Sequence, residues 1–229
     1  MHNPEYRHEL KFIIGKQEAD LLKKQLSFFC KLDRFSVSDD YSYDIRSLYF
    51  DDVMNSGYTD KINGEEYRKK YRIRIYNNSS SVIKLECKHK DDDMTLKDEC
   101  LIDLETAKAL IDGNYKDVKA DSALLQQFLI DARLYGLKPS TIVEYRRLAY
   151  AYPVSKTRIT FDENIRSAKP SQEFFSPTLK TLPIEGNEQI ELEVKCNEFL
   201  PQHIQILLNE IPKCRVAMSK YALSYEVNE

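Results

Sequence analysis

Residues 66–90 read EYRKKYRIRIYNNSSSVIKLECKHK, and this stretch decides the fold. Two runs rich in β-branched, aromatic and charged residues flank the polar segment 77–81. Side chains two apart in a strand lie on the same face of a sheet, and a short polar segment between two such runs is typical of a hairpin loop. The stretch therefore predicts two antiparallel strands, 66–76 and 82–90, joined by a loop at 77–81.

Each strand of this hairpin has one charged face and one apolar face. The charged positions are Arg68, Lys70, Arg72 and Arg74 in the first strand and Lys84, Glu86, Lys88 and Lys90 in the second. The positions between them include Ile73, Ile75 and Leu85. A single strand of this kind usually belongs to a sheet with one solvated side, so one strand alone does not decide where the charged face lies.

The rest of the chain predicts a mainly antiparallel α+β protein. Further strands are predicted at residues 6–14, 43–51, 95–103, 141–152, 157–162, 189–196 and 219–227. Helices are predicted at 16–32, 105–111, 120–135 and 201–211, and a loop at 168–186. Because strands follow one another without a regular alternation of strand and helix, the pattern indicates an antiparallel sheet with a few flanking helices.

The charged face recurs in the other strands. It carries Arg7, Glu9 and Lys11 near the N-terminus, Tyr145 with Arg147, Arg158 with Asp162, and Glu191, Glu193 and Lys195 near the C-terminus. Paired strands would set like charges opposite one another, which costs stability unless acids interleave or a polyanion occupies the space. Closing the sheet with this face inward, and with helices over the apolar face, predicts a positively lined tunnel that binds a polyanion.

Composition and charge exclude several other classes of protein. The 229 residues are 42% hydrophobic and 31% charged, which is typical of a globular chain, and we expect a single domain over 1–229. The five cysteines are scattered, which argues against a disulfide framework or a zinc site and predicts reduced thiols in the cytoplasm. No run approaches the roughly 20 apolar residues of a transmembrane helix. The net charge of −3 argues against a generally basic nucleic-acid-binding protein.

Phosphate is the anion that these side chains suit best. The planar guanidinium group of Arg matches phosphate oxygens, and Lys adds a mobile point charge. A carboxylate among cations and phosphates is a suitable ligand for Mg²⁺ or Mn²⁺. Glu193, Glu86 and Glu9 are the candidates for this role. The alternative, which stays open, is that these acids only neutralise the neighbouring Lys and Arg side chains.

The order of these motifs resembles a known family. The motifs are RHELK at 7–11, SLYFD at 47–51, RKKYRIR at 68–74, KLECK at 84–88, VEYRR at 143–147, RITFD at 158–162, LEVK at 192–195 and SKY at 219–221. Each motif alone is weak, but their succession resembles the VTC domain, the polyphosphate polymerase domain of vacuolar transporter chaperone proteins. That domain belongs to the CYTH-like triphosphate tunnel enzymes, and the resemblance extends from residue 6 to residue 226.

The resemblance implies both a fold and a chemistry. The fold would be a closed antiparallel eight-stranded β-barrel tunnel, and the reaction would transfer the γ-phosphate of ATP to a growing inorganic polyphosphate chain with Mn²⁺ or Mg²⁺. The residues implied to hold the reacting phosphates are Lys11, Arg72, Arg74, Lys88, Arg147 and Arg158. Further substrate contacts would come from Lys84, Lys97, Tyr145, Lys195, Ser219 and Lys220, and the metal ligands would be Glu193 and Glu86. Relatives often work beside a membrane component, which would here be a separate protein.

One position departs from the pattern of the tunnel enzymes that hydrolyse triphosphates. Those enzymes typically begin with two Glu and a Lys at alternate positions, whereas this chain has Arg7, Glu9 and Lys11. The change removes a possible metal ligand and adds a phosphate ligand, which favours holding a long anion. Two alternatives stay open: hydrolysis of tripolyphosphate or nucleoside triphosphates, and a non-catalytic module that binds polyphosphate or inositol phosphates.

Overall fold

A computed structural model describes residues 6–33, 40–92, 94–184, 189–197 and 199–229. The strands are β1 Arg7–Ile14, β2 Lys31–Leu32, β3 Tyr43–Asp51, β4 Tyr67–Tyr76, β5 Ser79–Asp91, β6 Met94–Leu101, β7 Lys138–Tyr152, β8 Thr157–Ala168, β9 Leu182–Pro183, β10 Ile190–Cys196 and β11 Cys214–Arg215. The helices are α1 Lys16–Leu26, α2 Ser56–Asn63, α3 Leu104–Ile111, α4 Ala123–Tyr135, α5 Gln202–Glu210 and α6 Lys220–Asn228, with a 3₁₀ turn at Gln172–Phe175.

The eight long strands pair in a closed ring. Their order is β7-β3-β4-β5-β6-β1-β10-β8, and β8 pairs back with β7. All the pairings are antiparallel. The short strands β2, β9 and β11 add to β7, β8 and β1. The predicted antiparallel α+β architecture is therefore confirmed.

The alternation of strand side chains separates an apolar outer face from a charged inner face. On β4 and β5, Ile73 and Leu85 are fully buried in a cluster that also contains Leu110 of α3 and Phe128 of α4. Helices α1 and α5 cover β1, β8 and β10 in the same way, through a second cluster. Because the helices pack on the apolar face, the charged face of the ring strands lies on the inside.

The hairpin at residues 66–90 forms as predicted, with a tighter turn. Strand β4 ends at Tyr76 and β5 begins at Ser79, so only Asn77 and Asn78 connect them. Both have positive φ, 51° and 53°. A two-residue hairpin loop of this handedness matches the twist of the strands, and Asn tolerates it better than most residues.

The predicted strand at 219–227 is wrong, because this segment is the helix α6. Ser219 caps the helix, with its Oγ accepting a hydrogen bond from the backbone N–H of Ala222 at 3.4 Å. Tyr221, Ser224 and Asn228 then fall at helical spacing and face β7 and β8. Two Tyr and one Val among residues 219–227 give this segment the composition of a strand. The side chains that it buries are nevertheless spaced as in a helix.

Helix α2 has no counterpart in the sequence prediction. Its first turn is capped from outside the helix, since the carboxylate of Asp51 accepts hydrogen bonds from the N–H groups of Gly57 at 2.8 Å and Tyr58 at 3.2 Å. The usual sequence signal of a helix start is a capping residue directly before the first turn. An acid several residues earlier does not give that signal.

The other predicted elements differ mainly in their ends. Helix α1 stops at Leu26 instead of residue 32, and β8 continues to Ala168 instead of residue 162. The predicted loop 168–186 contains the 3₁₀ turn and β9, and its last two residues lie outside the described part of the chain. Among the described residues, no helix has the length and apolar character needed to cross a membrane.

We expect Phe128→Ala to lower the free energy of unfolding by about 3–5 kcal/mol, because it removes the aromatic side chain that fixes α4 to the ring. Phe128 is fully buried, and its ring lies 4.9 Å from that of Phe50 and 5.1 Å from that of Tyr71, measured between centroids. Urea denaturation measures the change. Phe28→Ala is the matched control, since Phe28 is 87% exposed, and should change stability by less than about 0.5 kcal/mol. Equal effects of the two changes would contradict this packing.

Candidate functional site

A cavity of about 510 Å³ lies within the ring, against the charged face of the strands. Most residues predicted for the site line it: Lys11, Arg72, Arg74, Lys88, Lys97, Tyr145, Arg147, Glu193, Lys195, Ser219 and Lys220. These residues come from β1, β4, β5, β6, β7, β10 and the start of α6. The fold therefore brings side chains that are distant in sequence to one enclosed space.

A second cavity opens on another side of the same cations. Lys84 and Arg158, two further predicted residues, line only this second cavity. Six cations line both cavities, and we call them the shared cations: Arg7, Arg72, Arg74, Lys97, Arg147 and Lys195. The two cavities therefore meet at the shared cations. The second cavity also extends along the outer surface beside α4.

Glu86 holds the arginine pair of β4 in place. The Nε atom of Arg72 donates to Glu86 Oε2 at 2.6 Å, and Nη1 of Arg74 lies 4.0 Å from the same oxygen. Lys97 Nζ lies 3.3 Å from Glu86 Oε1. Burial raises the pKa of Glu86, but attraction by Arg72 and Arg74 outweighs it and holds the pKa well below the usual range. Glu86 is 1% exposed and lines neither cavity, so this geometry favours neutralisation as its role.

Hydroxyl groups complete the contacts of these arginines. Arg72 donates to the hydroxyl oxygen of Tyr49 at 3.0 Å. Arg74 donates to Ser47 Oγ at 3.1 Å and to the hydroxyl oxygen of Tyr145 at 3.2 Å. The guanidinium groups are thus fixed in orientation before any anion arrives, which lowers the entropy that binding would cost.

A second ion network joins β7, β8, β10 and α6. Arg147 donates to both oxygens of Asp162, from Nε and Nη2, each at 2.6 Å. Lys220 lies 2.7 Å from Asp162 and 2.5 Å from Glu191. Lys11 contacts the other oxygen of Glu191 at 2.8 Å. Asp162 and Glu191 are fully buried, so each carboxylate is balanced by two cations.

Two acids face the first cavity near Lys195. Glu193, 4% exposed, lies 2.9 Å from Lys195 and 3.7 Å from Arg147. Glu9 accepts a hydrogen bond from Lys88 through Oε2 at 2.6 Å. Burial raises the pKa of Glu9, but Lys195 and Lys88 outweigh it and lower the pKa to about 2. The pKa of Glu193 is likewise held well below its usual range, so both groups are carboxylates at neutral pH.

The acids Glu193 and Glu9 fit a divalent metal ion better than Glu86 does. Oε1 of Glu9 is buried and has no hydrogen-bond partner among the described residues, although Arg7 and Lys195 lie 3.6 and 3.7 Å away. In the same part of the chain, no group of three or more His, Cys, Asp or Glu side chains is placed to hold a metal. Mg²⁺ and Mn²⁺ commonly take one or two carboxylates and complete their shell with phosphate oxygens, and this donor set fits that arrangement.

Cations of the second cavity are paired with acids. Arg158 Nη2 donates to the carboxylate of Asp33 and, at 2.9 Å, to the hydroxyl oxygen of Tyr43. Lys84 donates to Glu99 at 2.6 Å. An anion that enters from this side would therefore compete with carboxylates.

Ser219 and Lys220 reach the first cavity from the N-terminus of α6. Both residues were predicted to lie on a strand. They line the cavity as expected, but from the start of a helix. No role was predicted for Asp162 and Glu191, which connect cations, or for Tyr49, which accepts a hydrogen bond from Arg72. The sequence places Asp162 and Glu191 on charged strand faces, and this feature could have identified them as site residues. Their partners lie on other strands and could not be read from spacing.

Comparison with known proteins places the chain in one family. A family model described as the VTC domain matches residues 6–228. No curated protein matches the chain.

Solved structures with the same fold share little sequence with the chain. A Hippeastrum protein described as an adenylyl cyclase with a dominant triphosphatase activity superposes with a TM-score of 0.55 at 16% identity, covering 97% of both chains. A Bacillus halodurans protein described as an adenylate cyclase has a TM-score of 0.54 at 14% identity, covering 91% of this chain and 89% of the other. At these identities the likeness concerns the fold alone.

We expect Asp162→Asn to lower the free energy of unfolding by about 3–5 kcal/mol, because it leaves the buried Arg147 and Lys220 without their shared carboxylate. Urea denaturation at neutral pH measures the change. Asp117→Asn removes the same charge from an exposed position and should stay within about 0.5 kcal/mol of wild type. A small loss of unfolding free energy in Asp162→Asn would show that the ion network does not stabilise the fold to this extent.

The lowered pKa of Glu9 predicts a pH-dependent contribution to stability. Its carboxylate stabilises the folded state fully above the ordinary value of 4.5, and this contribution is lost as the pH falls towards about 2. The difference in free energy of unfolding between wild type and Glu9→Gln should therefore shrink on acidification through that range. Denaturation curves at several pH values measure it, and a difference that stays constant with pH would contradict the interpretation.

Proposed function

Because the chain belongs to the VTC domain family, a branch of the CYTH-like triphosphate tunnel enzymes, we propose that it is a metal-dependent polyphosphate polymerase. The reaction would transfer the γ-phosphate of ATP to a growing inorganic polyphosphate chain inside the strand ring. The observation that carries this proposal is the meeting of two cavities at the shared cations. Two cavities that share these arginines would give a nucleotide and a polymer chain separate ways to reach the same guanidinium groups.

The inward cations supply the binding of both substrates. Arg72, Arg74 and Arg147 present guanidinium groups whose orientation is fixed by acids and hydroxyl groups. A guanidinium group can donate two parallel hydrogen bonds to two phosphate oxygens. This interaction is stronger where water is partly excluded. Lys11, Lys88 and Lys220 add point charges around the same space.

Phosphoryl transfer needs alignment and charge stabilisation more than covalent help from the protein. The fixed guanidinium groups would hold the donor and acceptor phosphates in line and stabilise the charge spread over the transferred group. Glu193 and Glu9 would hold Mn²⁺ or Mg²⁺, which neutralises negative charge on phosphate oxygens when bound. No side-chain nucleophile is required. Glu86 serves in this proposal as the acid that positions Arg72 and Arg74.

Hydrolysis of tripolyphosphate or of a nucleoside triphosphate is the second candidate function. The same cations would hold a triphosphate, and water would replace the polymer as acceptor. The Hippeastrum protein with this fold is described as having a dominant triphosphatase activity, which favours this alternative. The two functions share their binding residues and differ in the acceptor.

We expect purified protein with ATP and Mn²⁺ to produce a long polymer that a phosphatase degrades, as measured on a gel. Arg72→Ala should lower the rate about 100-fold or more, because it removes a preorganised contact to the developing charge. Glu193→Gln should abolish the response to added metal. Lys108→Ala is the matched control, since Lys108 lies on α3 at the outer surface and pairs with Glu105 of the same helix.

Two outcomes of this assay would overturn the polymerase proposal, and a third would overturn the metal assignment of Glu193. Release of orthophosphate from tripolyphosphate without polymer formation would make the protein a hydrolase. Tight binding of polyphosphate without any turnover would make it a binding module. Full activity of Glu193→Gln would remove Glu193 from the metal site. Thermal unfolding of each variant shows whether a loss of activity reflects a loss of fold.

A further inference from the structure

The pairing register of β4 and β5 sets like charges opposite one another towards one end of the hairpin. Arg68 lies directly opposite Lys90, and Lys70 lies opposite Lys88. The next pair towards the middle of the ring, Arg72 with Glu86, has opposite charges. Like charges across a strand pair destabilise it. A third like-charge pair, Arg74 with Lys84, follows on the other side of Arg72, and there Glu86 and Glu99 lie beside the two cations.

Helix α2 adds another cation to this end of the hairpin. Lys61, Arg68 and Lys70 all line the first cavity, and none of them lines the second. We call these three residues the mouth cluster. They are separate from the residues already proposed to hold the reacting phosphates.

The mouth cluster lacks acidic partners. Within the described ranges, no carboxylate oxygen lies at ion-pairing distance from Lys61, Arg68 or Lys70. Arg68 has a long hydrogen bond of 3.5 Å to the backbone oxygen of Asp60. Lys70 Nζ lies 4.6 Å from the centre of the Tyr221 ring. Asp51, Asp60 and Glu65 are close enough to attract these cations but do not pair with them.

The charge state of Lys70 agrees with this geometry. Its burial, together with the neighbouring Arg68, lowers the pKa of Lys70 to about 7. Lys61 and Lys88 act in the same direction, and only Asp51 opposes them. Because burial and neighbouring cations disfavour the charged form of Lys70, an anion that reaches this side chain would stabilise that form.

The cations at the second cavity differ in this respect. Arg158 is paired with Asp33, and Lys84 with Glu99. Lys97 also contacts Glu99. The two cavities therefore differ: Arg158, Lys84 and Lys97 have acids beside them, whereas Lys61, Arg68 and Lys70 have none at ion-pairing distance in the described part of the chain.

We propose that the mouth cluster is a subsite for the phosphates of a linear polyphosphate beyond those bound by the shared cations, so that the chain leaves the ring through this opening. The inference rests on the proposed polyphosphate function and adds to it a direction and a dependence on chain length. Alternate residues of β4 provide the track, from Arg74 through Arg72 and Lys70 to Arg68, with a spacing of about 7 Å per step. Arg68 lies two such steps, about 14 Å, beyond Arg72, so a triphosphate bound at Arg72 and Arg74 would not extend to Arg68.

Calorimetric titration without ATP tests the subsite, with tripolyphosphate and a long-chain polyphosphate as the two probes. The variants are the double change Arg68→Ala/Lys70→Ala and the single change Lys70→Met. The double variant should bind the long chain roughly tenfold or more weakly, since both charged contacts to its phosphates are lost. Its affinity for tripolyphosphate should stay near that of wild type. Lys108→Ala should leave both affinities unchanged.

Stability separates this effect from misfolding. Lys70→Met removes a half-buried cation that has no acid at ion-pairing distance among the described residues, so its Tm should equal or exceed that of wild type while its affinity for the long chain falls. Unchanged binding of the long chain by the double variant would overturn the subsite, and so would an equal loss for both probes. These titrations need no turnover, so failure of polymer synthesis from ATP would count against the polymerase alone.

Discussion

The balance of buried charge is the constraint on which this structure depends. A closed antiparallel ring turns one face of every strand inward, and here that face carries Arg and Lys. Taking an ion out of water costs several kcal/mol even in a relaxed protein, so the cations need acids at the right places. Asp162, Glu191 and Glu86 meet this need, and each connects cations from different strands or from a strand and helix α6. These acids leave part of each cation facing the cavity, so the cations can still bind phosphates as proposed.

The sequence predicted the inner face well because that face depends on a local rule. Side chains alternate along a strand, so Arg72 and Arg74 had to share a face opposite Ile73 whatever the partner strands were. The antiparallel fold followed from the succession of hairpins, and the motif order identified the family. Fold class, strand positions and the residues lining the first cavity were therefore predictable. The roles of these residues in binding and catalysis stay predictions.

What the sequence could not predict depends on contacts between distant segments. Helix α2 starts where Asp51 caps it, and α6 is held by Thr141 and Ser167 through Ser224. A strand-like composition therefore misled the assignment of 219–227. The pairing of Arg147 with Asp162, and of Arg158 with Asp33, needs the register of β7 with β8 and the return of the chain near residue 33. Neither is encoded in spacing.

Closure of the ring also limits how other chains can attach to the protein. Each of the eight long strands has a neighbour on both sides, so their backbone N–H and C=O groups are engaged within the paired lengths. A partner cannot extend the sheet by adding a strand there, which is a common way for proteins to capture extended peptides. A companion protein could recognise side chains on the outer helices or on the loops at the two ends of the ring, or the length of β6 after Thr95, which pairs with β5 alone among the described strands.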